Sequence, residues 1–264
     1  MSKKIHKFAK TTLVELINDY NKQKLTRRPS MHNTEHYVDV IYKQLRTGSQ
    51  WCELNEKRHY STYHKKFKEW SNIGIFELAF QIVLKTLYSL GLIPSKDIDL
   101  LSIDSSMIKN NRGCDGIGPN HYDRYRNATK VSVVVTNKGI PLGFSFSSAN
   151  VHDTKLVENN LDNVKISIVG SRLLADKGYN SKKLKKQLKQ QYKLNLIYPL
   201  KKKQENKYFT DEELAQLKGR TIVENFFAWM KSFRRLLIRY DTFLNSYASF
   251  CYLGAIDIIC NKLM

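Results

Sequence analysis

The hydrophobic period of this chain changes near residue 95, and that change limits the architectures open to it. Up to about residue 93, TTLVELINDYNKQKL, TEHYVDVIYKQLRTGSQW, STYHKKFKEW and IGIFELAFQIVLKTLYSLGLI carry apolar residues at helical spacing. Breaks fall at Arg28-Pro29-Ser30, Thr47-Gly48, Asn72 to Gly74 and Pro94. The pattern then turns to strands. DIDLLSIDSSMI is an unbroken apolar strand leading into Asp104, and KVSVVVTNKGIPLGFSFSSAN predicts two strands around an Asn137-Lys138-Gly139 turn. Thr154 to Leu161 predicts a helix entered through Asp153, and SRLLADKGY a short buried strand ending at Asp176. Ser181 can cap the helix SKKLKKQLKQQY, LNLIYPL is a strand stopped at Pro199, and SYASFCYLGAIDIICNKL closes the chain as an apolar helix. The order β-β-β-α-β-α-β-α belongs to an α/β fold, a mixed sheet flanked by helices. The expected division is a helical region over 1–95 and the sheet domain over 96–264.

Between the last two elements lies RTIVENFFAWMKSFRRLLIRY, Arg220 to Tyr240, which the periodicity predicts to be one helix. At about 100° per residue, Ile222, Phe226, Trp229, Met230, Phe233, Leu236 and Leu237 share one side. Arg220, Glu224, Lys231 and Arg235 fall within roughly 60° of each other on the opposite side, with Arg239 at the edge. Lys231 and Arg235 are like charges at i and i+4, a spacing that costs helix stability. A single carboxylate in a cationic stripe makes sense on a helix facing a polyanion and a metal ion. The bland alternative for Glu224 is an exposed pair with Arg220, contributing only tenths of a kcal/mol.

Charge points the same way. The formal net charge is +20, an excess that favours a polyanionic partner, nucleic acid above all, with an anionic membrane surface as the competing reading. No segment approaches the ~18 apolar residues of a membrane span, and no secretory signal precedes residue 30, so an intracellular protein is expected. Ser181 to Lys207 holds ten lysines against one acid, which favours a phosphate-tracking surface. Lys65, Lys66 and Lys68 among aromatics suit either a DNA-binding helical module or a solvated helical cap. Cys52, Cys114, Cys251 and Cys260 form no CxxC pair and are expected to be reduced thiols. His32 and His36 stand at i and i+4 but lack a third ligand nearby. RGCDGIGPN lacks the Lys-Ser/Thr ending of a P-loop and is expected to be a loop beside the site.

Asp104, Asp176 and Glu224 together suggest a three-carboxylate site. Phosphodiester cleavage with two divalent ions ~3.5–4 Å apart needs such hard oxygen ligands: one ion activates the attacking water or 3′-hydroxyl, the other stabilises the leaving oxygen. Acids on a first strand, a fourth strand and a late helix match the ribonuclease-H-like arrangement. Each aspartate alone has a plain alternative as a strand-end residue capping the next turn.

The motifs sharpen this. Arg220, Glu224 and Lys231 stand as R-x3-E-x6-K, followed by FRRLLIRYD. This resembles the signature of the three-acid (DDE) transposases of bacterial insertion sequences, nearest to insertion-sequence family five. IDSSMIK resembles the family's segment around the first aspartate and LLADKGYNS that around the second. HYDRYRNATK, the GIPL hairpin, SANVHD with His152 and Asp153, and LRTGSQW are also similar, so the resemblance covers about residues 40 to 264. It implies a ribonuclease-H-like catalytic domain behind an N-terminal DNA-binding region. Asp104, Asp176 and Glu224 would be catalytic ligands of two Mg²⁺ or Mn²⁺ ions. Lys231 would contact the transposon end, and Arg220 would orient Glu224 or touch DNA. Arg235, Lys182, Lys183 and Lys186 are further expected DNA contacts. The partners implied are double-stranded DNA, as transposon ends and target, and further copies of the chain in an active multimer, with no membrane. The protein would act on DNA inside the cell, most simply in a bacterial cytoplasm. Rival readings are a ribonuclease-H-like nuclease or resolvase that cuts without joining, and a descendant that only binds DNA. Two departures stand out: CELNEKRHYSTYHKKFKEW lacks the prolines usual there, and Tyr125 replaces a glycine usual in the family.

Overall fold

A computed structural model describes residues 2–23, 33–199 and 218–263. The backbone falls into two compact units, one of Met1–Thr86, Lys109–Asp115 and Met230–Met264, the other of Leu87–Ile108 and Gly116–Trp229.

The first unit is mainly helical: α1 (Ser2–Gln23), α2 (Thr34–Thr47), α3 (Tyr60–Asn72), most of α4 (Ile75–Ser89) and α10 (Leu244–Lys262). Each of the first helices turns an apolar stripe inward; Leu13, Ile17, Val38, Ile41, Phe67, Phe76 and Phe80 are buried. Helix α10 is buried along nearly its whole length, and Phe250 packs its ring 4.4 Å from that of Phe67. Asn33 caps α2 through the Glu35 N–H, and Gly48 ends it at φ 63°, a left-handed conformation that glycine adopts without steric cost. A break at Thr47-Gly48 was legible in the sequence; Arg28-Pro29-Ser30 and His32 lie outside the described residues.

The expected single helix over Arg220–Tyr240 is corrected. A 3-10 turn over Lys218–Arg220 leads into α8 (Thr221–Ser232), Phe233 adopts extended dihedrals, α9 runs Arg234–Leu237, and β7 (Ile238–Arg239) follows. Phe233 is buried, and the absent side chain of Gly254 leaves the space that it, Met230 and Leu236 share. The break swings Arg235 inward. It is buried, pairs with Asp241 at 2.7 Å and lies 5.1 Å from the Phe250 ring centre. Arg239 is also buried, on Asp115 at 2.5 Å, while β7 pairs in parallel with Lys109 and Asn110. Trp229 and Leu237, expected on the apolar side, are exposed.

The second unit holds the mixed sheet. Its strands are β1 (Leu100–Asn110, as far as Ile108), β2 (Gly118–Pro119), β3 (Asn127–Thr136), β4 (Pro141–Ser148), β5 (Arg172–Leu174) and β6 (Asn195–Ile197). Strands β3 and β4 form the expected antiparallel hairpin, turning at Gly139 with φ 73°. Strand β3 neighbours β1, which pairs in parallel with β5, and β5 in parallel with β6. The order β4-β3-β1-β5-β6, with β2 on the start of β3, is the ribonuclease-H-like arrangement. Ser181 caps α7 (Lys182–Gln191) through the Leu184 N–H, as its sequence predicts. Beyond the short α5 (Ser95–Ile98), α6 (Val157–Asp162) starts later than expected, after a 3-10 turn over Asp153–Lys155 capped by His152. Asp104 is not at a strand end: β1 continues six residues past it to Asn110.

Candidate active site

Asp104 and Asp176 owe their placement to one parallel ladder. Strands β1 and β5 pair Leu100 with Arg172, Leu101 with Leu173 and Ser102 with Leu174. Both acids lie two residues beyond the last pair, so the register carries them past the same end of the ladder, where the Asp176 charge reaches Asp104. Asp104 is only partly exposed; its Oδ1 accepts the Ser105 N–H at 2.8 Å. Burial raises its pKa, the Asp176 and Asp153 charges raise it further, and the Ser105 N–H and Arg220 oppose the shift. Asp176 is exposed and caps the turn Lys177–Tyr179, accepting the Lys177 N–H at 2.6 Å.

Glu224 stands in the first turn of α8, where the unsatisfied N–H groups favour an acid. Arg220 immediately precedes that helix. One guanidinium nitrogen lies 2.9 Å from Glu224 Oε1 and the other 3.7 Å from Asp104 Oδ2. The arginine thus draws the two acids toward one point. Phe226, two residues on and so on the other side of the helix, anchors it with its ring 6.0 Å from that of Phe144 on β4.

A fourth carboxylate belongs to the cluster and was not singled out as a site residue by its own sequence pattern. Asp153 accepts from Ser105 Oγ at 2.7 Å and from Lys130 Nζ at 2.8 Å. The Lys130 side chain is 4% exposed, and its ammonium also donates to the Val151 carbonyl at 2.5 Å. The signal lies in SANVHD and NATK taken together, a buried strand lysine requiring an acid, but the pair is 23 residues apart. Tyr179 is buried beneath these acids. Burial first, then the charges of Asp153, Asp104 and Asp176, push its phenol well above the usual tyrosine range, which suits packing rather than nucleophilic attack.

Among the described residues, no three His, Cys, Asp or Glu side chains converge closely enough to hold one ion between them. The donor chemistry nonetheless fits a hard cation: the donors are carboxylate oxygens, and the Asp176 and Asp153 charges make Asp104 hold a proton, a positive charge, more readily. Lys231 is exposed on α8, seven residues beyond Glu224. Lys182, Lys183 and Lys186 are exposed on α7. Lys182 lines a cleft of about 570 Å³ with His152, Thr154, Lys177, Gly178, Asn180 and Ser181. Arg235 does not join these cations, because its guanidinium is spent on Asp241 inside the fold. Among the described residues no helix is long and apolar enough to cross a membrane.

Residues 95–254 match the family model described as the transposase DDE domain. The transposase assigned to insertion sequence element IS402 of Burkholderia cepacia is 30% identical over 155 residues, covering 55% of this chain and 69% of that one. Among solved structures, the piggyBac transposase synaptic complex with hairpin DNA is similar at a TM-score of 0.49 and 9% identity, over 96% of this chain and 71% of the other. The Mos1 transposase paired-end complex with left transposon end is similar at a TM-score of 0.28 and 9% identity, over 80% and 82%. The family match spans most of the chain, takes in Asp104, Asp176 and the acid-bearing helix, and agrees with the relative from an insertion sequence: the chain belongs to the DDE transposases.

Proposed function

We propose that this chain cuts the ends of a DNA transposon and joins the freed 3′-hydroxyl to target DNA, using Asp104, Asp176 and Glu224. The observation that supports the reading is the placement of these acids: Asp104 and Asp176 in step just past the β1–β5 ladder, and Glu224 sharing the Arg220 guanidinium with Asp104. The three carboxylates would hold two Mg²⁺ or Mn²⁺ ions, which when bound supply the positive charge that activates the attacking oxygen and steadies the leaving one.

The chain's own residues position the DNA. In the first step a water oxygen attacks the scissile phosphorus and the bond to the 3′-oxygen breaks, leaving a 3′-hydroxyl and a 5′-phosphate. In the second that 3′-hydroxyl attacks a target phosphodiester and displaces its 3′-oxygen, so the number of phosphodiester bonds is conserved in the joining step. Both nucleophiles come from water or DNA; the buried, protonated Tyr179 supports a reaction without a covalent protein intermediate. Arg220 orients Glu224 before DNA arrives. Lys231 lies ~10.5 Å along the helix from Glu224, a reach that suits a neighbouring phosphate. Lys182, with Lys183 and Lys186, extends a cationic track from the cleft beside Asp176. A net charge of +20 supplies the non-specific part of the affinity, which must fall steeply with salt. Two transposon ends in one reaction imply a multimer acting on cellular DNA.

A strand-transfer assay with pre-cut ends tests the reading. Joined product in the presence of Mg²⁺ or Mn²⁺ is the expected result. Cleavage of uncut ends with no joining of pre-cut ones would indicate a nuclease or resolvase, and binding without either reaction a DNA-binding descendant.

A further inference from the structure

The loop between β2 and β3 displays aromatic side chains that the fold does not use. Tyr122 is 91% exposed and Tyr125 66%, the former the highest value among the exposed large hydrophobic residues described. This loop is built rather than slack. The Asn120 carbonyl accepts the N–H groups of Asp123 and Tyr125 at 3.1 and 3.0 Å, and its side chain accepts the Tyr122 N–H at 3.0 Å. Asn120 is itself buried, and its N–H closes the loop on the Arg126 carbonyl at 3.0 Å.

The loop also holds unfavourable backbone. Arg124 and Tyr125 have φ of 50° and 59°, in the left-handed region. A bulky side chain is costly there and glycine is not. This chain keeps a tyrosine at that strained point and leaves two-thirds of it in solvent, with the His121 ring edge-on at 5.0 Å.

The flanking charge identifies a partner. Arg124 and Arg126 are exposed on the same short loop, against one acid, Asp123. Strand β3 runs from this loop straight to the acid cluster: Lys130 bonds Asp153, and Ser132 Oγ donates to the Asp104 carbonyl at 3.3 Å. At about 3.3 Å per residue, Arg126 stands ~13 Å along the strand from Lys130, the reach of a few nucleotides. Rings flanked by guanidiniums at this distance suit unpaired bases, whose faces stack on aromatics while the phosphates meet cations.

We propose that the loop Asn120–Arg126 is a stacking site for unpaired DNA bases next to the cut, with Tyr122 and Tyr125 taking the base faces and Arg124 and Arg126 the phosphates. The proposal rests on the transposase reading and adds to it where the strands are parted. It is tested with the full chain and two probes, a blunt duplex and the same duplex bearing a three-nucleotide overhang that carries 2-aminopurine. The wild type is expected to bind the overhang more tightly and to quench its fluorescence. Tyr122→Ala and Tyr125→Gly should each lose about 5- to 100-fold in overhang affinity. Their affinity for the blunt duplex should stay unchanged. Tyr125→Gly should melt no lower than wild type, since glycine relieves the strain. Variants that bind and quench the overhang as wild type does would overturn the proposal while leaving DNA binding intact. A Tyr122→Ala change in oligomeric state with quenching preserved would overturn it in favour of a protein contact. A wild type that binds neither probe would overturn the transposase reading as well.

Discussion

Asp153→Asn probes the packing beneath the acids. The Lys130 side chain is 4% exposed and its ammonium bonds Asp153 Oδ1 at 2.8 Å, while the Asp153 side chain is 30% exposed. Removing the carboxylate charge leaves a buried ammonium with the Val151 carbonyl and a neutral amide. Stripping one partner from a fully buried pair costs about 3–5 kcal/mol. The partial exposure of Asp153 lowers that to roughly 2–3 kcal/mol. Lys130→Met removes the buried ion instead and keeps a side chain of similar length. Asp153 then retains Ser105 Oγ at 2.7 Å and access to water, so the cost is about 1 kcal/mol or less. The order of severity is the prediction: Asp153→Asn is the worse variant, and the double variant recovers about 1–2 kcal/mol of the summed loss. Urea unfolding with unchanged m-values measures all three. A Lys130→Met variant as unstable as Asp153→Asn, or strict additivity in the double variant, would refute the reasoning.

Three further outcomes follow from the helical unit. Gly48→Ala should cost roughly 2–4 kcal/mol in urea unfolding, because φ is 63° and a Cβ there would stand 2.9 Å from the Arg234 backbone carbon; a loss below about 0.5 kcal/mol would contradict that packing. Asp241→Asn should be similarly severe, about 3–5 kcal/mol, since it strips Arg235 of its partner in a pair whose side chains are 6% and 4% exposed. His64, stacked on Trp51 with ring centres 5.1 Å apart, has its pKa lowered, chiefly by burial and then by Lys68 and Arg235. The folded state therefore binds fewer protons than the unfolded one, and this contribution to stability is lost as pH falls below the unfolded value of about 6.5. His64→Gln should flatten the melting temperature between pH 7 and pH 5, and an unchanged slope would contradict the assignment.

Much of this architecture is written in local pattern. The helices of the first 93 residues, the β3–β4 hairpin and the Ser181 cap follow from spacing and turn chemistry that neighbouring residues determine. The break at Phe233 does not. Phe233 continues the apolar stripe of α8, and the room it packs into is left by Gly254, which no local pattern places beside it. Arg235 and Arg239 look like surface cations for the same reason: their partners Asp241 and Asp115 become partners only once the chain has folded. At the site, Asp104 and Asp176 each follow a visible apolar run, but their alignment depends on the parallel register of β1 and β5. The Lys130–Asp153 pair is a contact across 23 residues, outside the reach of any local motif.

The central claim is that Asp104, Asp176 and Glu224 act as one unit on DNA. Its most direct test is cleavage of DNA carrying the element's own ends, with and without Mg²⁺ or Mn²⁺, by the wild type and Glu224→Gln. Gln keeps the length of the side chain and removes its charge, and the natural pair with Arg220 at 2.9 Å is half-exposed, so the fold should be preserved. The account predicts metal-dependent cutting by the wild type and its loss in the variant, with DNA binding retained in both. A folded Glu224→Gln protein that cuts as fast as the wild type would contradict it.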